Sequence, residues 1–246
     1  MMLIAMVMSV FFVLTTFWIV DFTVTQWEKM VADFGMSVMR LGGLIMIFLL
    51  GSGVIGRELK RRTAYVIFSR PVKKWEFVVG KFSGIMSLIA LNLFILLVLV
   101  YIVSYWVHFR IKVETPPLYL GYIEFLCEIA VLAAFVIFLS AIYSQESALI
   151  GMFIFFATSH LIGYLKEWLV EGSLPAKLVA YILYIFPDFS YYNVSQKVIE
   201  FTDRVGIPRI PVPWDDIITY YLLTILYCSL FLYAGAHFLK RREFGE

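Results

Sequence analysis

The sequence contains six apolar runs that are each long enough to cross a lipid bilayer as a helix. A crossing helix needs about 20 apolar residues, because the hydrocarbon core is about 30 Å thick and an α-helix rises about 1.5 Å per residue. The runs occupy residues 1–20, 36–55, 82–107, 122–143, 148–165 and 217–239. The sequence therefore predicts an all-α integral membrane protein, with one transmembrane domain over residues 1–246.

The composition supports burial in lipid. Apolar residues make up 62% of the chain and charged residues only 15%, against about 25% charged in an average soluble domain. Mean hydropathy is +0.88, which is more apolar surface than a soluble globule of this length can bury. The net charge of +2 argues against nucleic acid as a partner. Cys127 and Cys228 lie within apolar runs, and their spacing indicates neither a disulfide nor a metal site.

Lysine and arginine predict the orientation of the chain. The loop at 56–81 is strongly basic, and the tail adds Lys240, Arg241 and Arg242. Six spans place this loop and this tail on the same side of the membrane. Basic loops remain in the cytoplasm, so we expect both termini there and the segments 21–35, 108–121 and 166–216 outside.

Two segments depart from a simple series of spans. The apolar run 178–186 is too short to cross and ends at Pro187, which favours an interfacial or re-entrant segment at the outer face. The first span begins at Met1 without a basic lead-in or a signal-peptide cleavage site. We therefore expect the native chain to begin upstream, and N-terminal sequencing of the native protein would test this.

The basic loop has internal structure. Residues 57–68 are predicted to form a short amphipathic helix along the membrane, and Pro71 ends it because proline disfavours helix at the preceding residue. Gly80 and Gly84 then form a GxxxG pattern, which allows two helices to approach closely.

Polar residues inside the spans are candidates for function. An acidic residue in a span costs about 2–3 kcal/mol even on lenient scales. Glu124 and Glu128 share a helix face because they are four residues apart. With Asn92 and His160, they are candidates for a transport pathway or a protomer interface. Alternatively, they make helix–helix hydrogen bonds, or they snorkel to the interface as we expect of Arg40.

Several motifs resemble one membrane protein family. They are RELKRRT, SRPVKKWEF and GKF in the basic loop, and SHLIGYLKE, FPDFSYYNV and FLKRREF downstream. Together with six spans, these motifs resemble the type-2 permeases of ABC transporters, in particular the compact branch that includes the nitrous-oxide-reductase maturation permeases. Members of that family carry an Arg-rich elbow helix before the first span, and the resemblance therefore supports the expectation that the native chain begins upstream of Met1.

The resemblance implies a function and a set of partners. Such a permease is half of an exporter pore in the prokaryotic cytoplasmic membrane and pairs with a second copy or a paralogue. A separate ABC ATP-binding subunit would hold ATP and Mg²⁺ and dock on residues 57–68, the coupling helix. The docking residues carried over are Arg57, Glu58, Arg61, Arg62 and Thr63. The segment 178–193 would be a re-entrant pair of short helices that caps the outer mouth.

No nucleotide site or catalytic centre is predicted in the chain itself. The GxGxxG at residues 51–56 follows a membrane helix rather than a strand, so it is not a dinucleotide fingerprint. Gly80 and Lys81 lack the rest of a Walker A loop. With three His and no HExxH motif, a catalytic metal is not expected, and the chain is not expected to need a cofactor of its own.

Two other functions remain open at this stage. The chain could be an intramembrane enzyme that uses Glu124, Glu128 and His160 as acid–base groups, if these residues converge. It could also be a membrane assembly factor that transports nothing. A neighbouring gene for an ABC ATPase would favour the permease over both.

Overall fold

Five long helices make up most of the part of the chain that the computed structural model describes. The structure describes residues 27–51, 73–111, 118–170, 186–189 and 214–242, with scattered positions between 7 and 15. The helices are α1 (Trp27–Gly51), α2 (Lys74–Ile111), α3 (Leu118–Ile142), α4 (Gln145–Val170) and α5 (Trp214–Arg242).

All five helices are long and apolar enough to cross a membrane. They correspond to the second to sixth predicted spans. The first predicted span, the coupling helix at 57–68 and most of the re-entrant segment at 178–193 lie outside the described residues.

The largest difference from the predicted boundaries is at the start of α2. The apolar run begins at residue 82, but the helix begins at Lys74. The Glu76 carboxylate accepts a hydrogen bond from the Lys73 backbone N–H at 3.1 Å. A Glu at the third helical position that reaches back to the N-cap stabilises a helix start. The helix therefore begins in the charged segment, ahead of the apolar run.

α3 is the central helix of the bundle. It packs against α1, α2, α4 and α5, and 67% of its crossing segment is buried, against 17% for α5. Close approach to α1 depends on Gly51, because a Cβ there would lie 2.5 Å from Cγ1 of Val136. A β-branched valine has little freedom to move aside, so this contact favours glycine.

Phenylalanine rings join α3 to α4 and α5. Phe135 of α3 stacks on Phe155 of α4 with ring centroids 3.9 Å apart. It also meets the edge of Phe231 of α5 at 5.1 Å. Aromatic pairs of this kind contribute about 0.5–1.5 kcal/mol beyond the area that they bury. The rings therefore fix α4 and α5 on one side of α3.

The GxxxG face of α2 is open in the described part of the protomer. A Cβ at Gly80 or Gly84 would have no heavy atom of the described residues within 4 Å. The close helix approach predicted for these glycines is therefore not made by α1, α3, α4 or α5.

Candidate functional site: an ionic cluster between three helices

A buried ion pair joins α1 to α3. One guanidinium nitrogen of Arg40, Nη2, lies 3.2 Å from Oε1 and 3.1 Å from Oε2 of Glu128. The Glu128 side chain is 2% exposed and the Arg40 side chain 24%. Removing one partner of a buried pair leaves an uncompensated charge, which typically costs about 3–5 kcal/mol. The pair therefore ties the two helices together.

His160 of α4 completes the cluster. Nη2 of Arg40 also lies 2.5 Å from Nε2 of His160. Arginine has no acceptor, so the guanidinium donates and Nε2 accepts. The imidazole proton is then on Nδ1, which donates to the Phe156 carbonyl at 3.2 Å. This arrangement requires a neutral His160, and the 3.7 Å separation of Nε2 from Glu128 is proximity rather than an ion pair.

The three residues lie at the same end of the bundle. Arg40 and Glu128 are each about two helical turns into the crossing segments Asp33–Gly51 and Gly121–Ile142, and His160 is about one turn from the end of Gln145–Gly163. Because α1 and α3 run in the same direction and α4 in the opposite one, these positions coincide in depth, at about 10 Å at most from that end.

A short segment between α4 and α5 packs beside His160. Within residues 186–189, Pro187, Asp188 and Phe189 are buried. The Phe189 ring centroid lies 5.6 Å from that of His160 and 6.0 Å from that of Phe155. Asp188 is 7% exposed and close enough to His160 for an electrostatic interaction. The FPDF motif is thus part of the bundle rather than an external loop.

A cavity lies between α1 and α4, next to the ionic cluster. Its volume is about 280 Å³. Its polar lining comes from Ser37, Arg40 and His160. The apolar lining is Met36, Leu41 and Leu44 of α1, Phe125 of α3 and Phe156 of α4. The Arg40 guanidinium also lies over the Phe125 ring, 5.8 Å from its centroid, so a cation and a ring form one wall.

Glu124 has a different environment from Glu128. It is 3% exposed and close enough to Cys127 and to Tyr221 of α5 for electrostatic interactions. Cys127 lies close enough to Thr224 of α5 for a side-chain hydrogen bond. The two carboxylates are one turn apart on α3, but Glu124 belongs to the contact between α3 and α5.

Asn92 is separate from both groups. Its side-chain amide donates to the Leu88 carbonyl at 2.7 Å within α2, and the residue is 7% exposed. The hydrogen bond of its NH₂ group is therefore local to its own helix.

The sequence singled out two of the three cluster residues, Glu128 and His160, but not their common partner. Arg40 was expected to extend toward the interface, and it instead turns to Glu128. An arginine and a glutamate at matching depth in two spans were the signal available in the sequence. Among the described residues, no group of three or more His, Cys, Asp or Glu could hold a metal ion.

Five apolar helices around a buried polar cluster define a multi-pass membrane protein. A model of the family described as ABC-2 family transporter protein matches residues 20–237. The match covers most of the chain, so the chain belongs to this family and is a permease subunit of an ABC transporter. No curated protein matches the sequence at a significant level. Membership generally implies an ABC ATP-binding subunit as partner.

Proposed function

We propose that this permease is half of an ABC exporter in the prokaryotic cytoplasmic membrane, with both termini in the cytoplasm. The family match over residues 20–237 is the observation that carries the proposal. The charge distribution supports the orientation, because the basic loop at 56–81 and the basic tail fall on one side. A second copy or a paralogue completes the pore.

The ATP-binding subunit docks on residues 57–68 in this proposal. Glu58 is the acidic contact, and Arg57, Arg61, Arg62 and Thr63 form the polar face beside it. Closure of the paired ATPases pushes on this helix and moves the permease between access states, as a rigid-body change biased by ligand. ATP and Mg²⁺ are bound by the partner.

The ionic cluster fits a transporter better than an intramembrane enzyme. Glu128 and His160 do converge, but Arg40 lies between them and occupies Nε2 of the imidazole. A base whose lone pair already accepts from an arginine is poorly placed to take a proton from a substrate. In a permease, the same network ties α1, α3 and α4 at one end of the bundle.

The proposal is tested with the purified chain and the ABC ATPase encoded beside its gene. The permease alone should hydrolyse no ATP and should capture the ATPase. Glu58→Arg should insert and fold normally, but its affinity for the ATPase should fall by about tenfold or more, since a reversed charge faces the contact. Glu243→Arg is the matched control, because it reverses an acid in the tail on the same expected side.

Two results would contradict the proposal. If the wild-type chain captures no ATPase, the role of permease subunit with this partner is wrong. If Glu58→Arg binds and stimulates the ATPase as well as Glu243→Arg does, Glu58 is not the docking contact.

A further inference from the structure

The contact between α1 and α4 beside the cavity is sparse. Both helices pack on α3, but in the described part of the chain they make little close contact with each other. The hydrogen bond from Arg40 to His160 joins them near one end of the bundle. About two helical turns farther along, Phe48 contacts Phe153 with ring centroids 6.2 Å apart. Among the described residues, one polar contact thus holds α1 against α4 at the level of the cluster.

That polar contact depends on where His160 carries its proton. Nε2 accepts from Nη2 of Arg40, and Nδ1 carries the proton and faces the Phe156 carbonyl at 3.2 Å. A protonated imidazole has an N–H on both nitrogens and no acceptor. Protonation at Nε2 therefore removes the acceptor for Arg40 and leaves two cations side by side.

Glu128 has the capacity to accept from His160 instead. Its Oε1 lies 3.7 Å from Nε2 of His160, just beyond hydrogen-bond distance. Its Oε2 forms the ion pair with Arg40 at 3.1 Å but has no hydrogen bond among the described residues. Since both oxygens of a carboxylate are acceptors, Oε1 can take the N–H of a protonated His160 while Oε2 remains with Arg40. The carboxylate then lies between the two cations.

The surroundings of His160 allow it to gain a proton. In the described part of the chain, the charged groups that face it are Arg40 of α1, Glu128 of α3 and Asp188 of the segment 186–189. Two of these three are acids, which favour a charged imidazole once Arg40 has left Nε2. The His160 side chain is 31% exposed and lines the cavity. It lies at most about 10 Å from the end of the spans, within reach of protons from the membrane–water interface.

We propose that Arg40, Glu128 and His160 form a proton-dependent switch between α1 and α4. With His160 neutral, its hydrogen bond from Arg40 holds α4 against α1. When Nε2 takes a proton from solvent, His160 exchanges Arg40 for Glu128, and the contact between α1 and α4 opens beside the cavity. Arg40 stays paired with Oε2 of Glu128, so α1 remains on α3. The exchange needs no ATPase, so this proposal goes beyond the proposed function and is independent of it.

NMR spectroscopy of the imidazole nitrogens tests the exchange of the proton. The sample is the full chain in lipid, labelled with ¹⁵N in histidine, with His108→Gln and His237→Gln so that His160 gives the only histidine signals. At about pH 8 we expect the proton on Nδ1 and none on Nε2, as the hydrogen bonds require. Between about pH 8 and about pH 5, the range in which histidine changes charge, Nε2 should gain a proton.

Electron paramagnetic resonance between two spin labels tests the opening. The labels are attached at Ser37→Cys of α1 and Leu165→Cys of α4, with both native cysteines replaced by serine. Both positions are exposed and lie beyond the cluster, toward the same end of the bundle. The distance between the labels should increase by about 1–2 Å, the usual size of a helix shift at an interface, as the pH falls over the same range. It should return when the pH is raised.

One variant and one control assign the effect to His160. His160→Gln keeps an acceptor oxygen for Arg40 but does not titrate, so its label distance should stay short at every pH. His237→Gln is the matched control, because His237 is exposed on α5 and is not part of the cluster. Its label distance should change with pH as in the wild type.

Each outcome decides the proposal. A label distance that increases together with protonation of Nε2, and stays constant in His160→Gln, supports it. A proton on Nε2 at about pH 8 overturns it. So does a label distance that is constant while His160 titrates, or a pH response that survives in His160→Gln. If His160→Gln does not fold, the NMR titration and the label distance of the histidine-containing chain decide by whether they change at the same pH.

Discussion

Glu124 and Glu128 are one turn apart on the same helix and almost equally buried, at 3% and 1% exposure. Glu128 faces an arginine from α1 and a histidine from α4. Glu124 instead lies near a thiol on its own helix and a phenol on α5. The burial of a carboxylate in a span therefore does not define its role, since the neighbouring helices decide which groups it meets.

The largest expected loss of stability comes from removing Arg40, the cation that pairs with Glu128. Arg40→Ala should lower the free energy of unfolding by about 3–5 kcal/mol, because it leaves a buried carboxylate without its counter-charge. Unfolding of the detergent-solubilised chain by SDS titration measures this. The double variant Arg40→Met with Glu128→Leu should recover most of the loss. If the double variant is as unstable as the single one, the two residues are not energetically coupled.

Neutralising each carboxylate tests the comparison directly. Glu128→Gln removes the counter-charge of Arg40 but leaves a cation that is 24% exposed, so it should cost less than Arg40→Ala, about 1.5–3 kcal/mol, the range for hydrogen bonds to charged groups. Glu124→Gln has nearly the same shape and should cost less than about 1 kcal/mol, because Cys127 and Tyr221, which lie near Glu124, are neutral groups. If the two variants lose equal free energy of unfolding in the same assay, the proposed difference between the environments of Glu124 and Glu128 is wrong.

Packing around the central helix gives a third test, which involves no charge. Gly51→Val places a branched side chain against Val136 and should cost about 1–3 kcal/mol through overpacking. Gly84→Val, on the open face of α2, should change the stability of the isolated protomer by no more than about 0.5 kcal/mol. A large loss for Gly84→Val in the monomer would show that residues of the same chain cover that face.

The smallest expected effect concerns the contact between α3 and α5. Thr224→Val removes the hydrogen bond to Cys127, and hydrogen bonds between membrane helices average about 0.6 kcal/mol. Ser229→Ala is the control, because that hydroxyl is exposed and donates to the Leu226 carbonyl of its own helix. If Thr224→Val lowers the free energy of unfolding as much as Glu128→Gln does, the contact between α3 and α5 near Glu124 stabilises the bundle more than we expect.

Most of the described part of the fold could be predicted from the sequence. Five of the six apolar runs correspond to helices that can cross a membrane. The length of an apolar run is a local property of the sequence, and it has to match the thickness of the hydrocarbon core. The boundaries were less accurate. α2 begins within a charged segment, where capping by Glu76 outweighs the loss of apolar character.

The candidate site was only partly predictable. Glu128 and His160 stood out because polar groups are costly inside spans. The expectation for Arg40 failed because snorkelling and inward pairing look the same in the sequence. Which of them occurs depends on whether another helix presents an acid at the same depth.

The sequence by itself determined that the chain crosses a membrane repeatedly, and it predicts that the basic loop and the tail share one side of it. Length, hydropathy and charge are properties of single segments, so no tertiary contact was needed. Only the tertiary structure decided that Arg40 meets partners 88 and 120 residues away, and that a cavity opens beside them. Both arise because α1 and α4 pack on α3 and meet beside Glu128, which no single segment encodes.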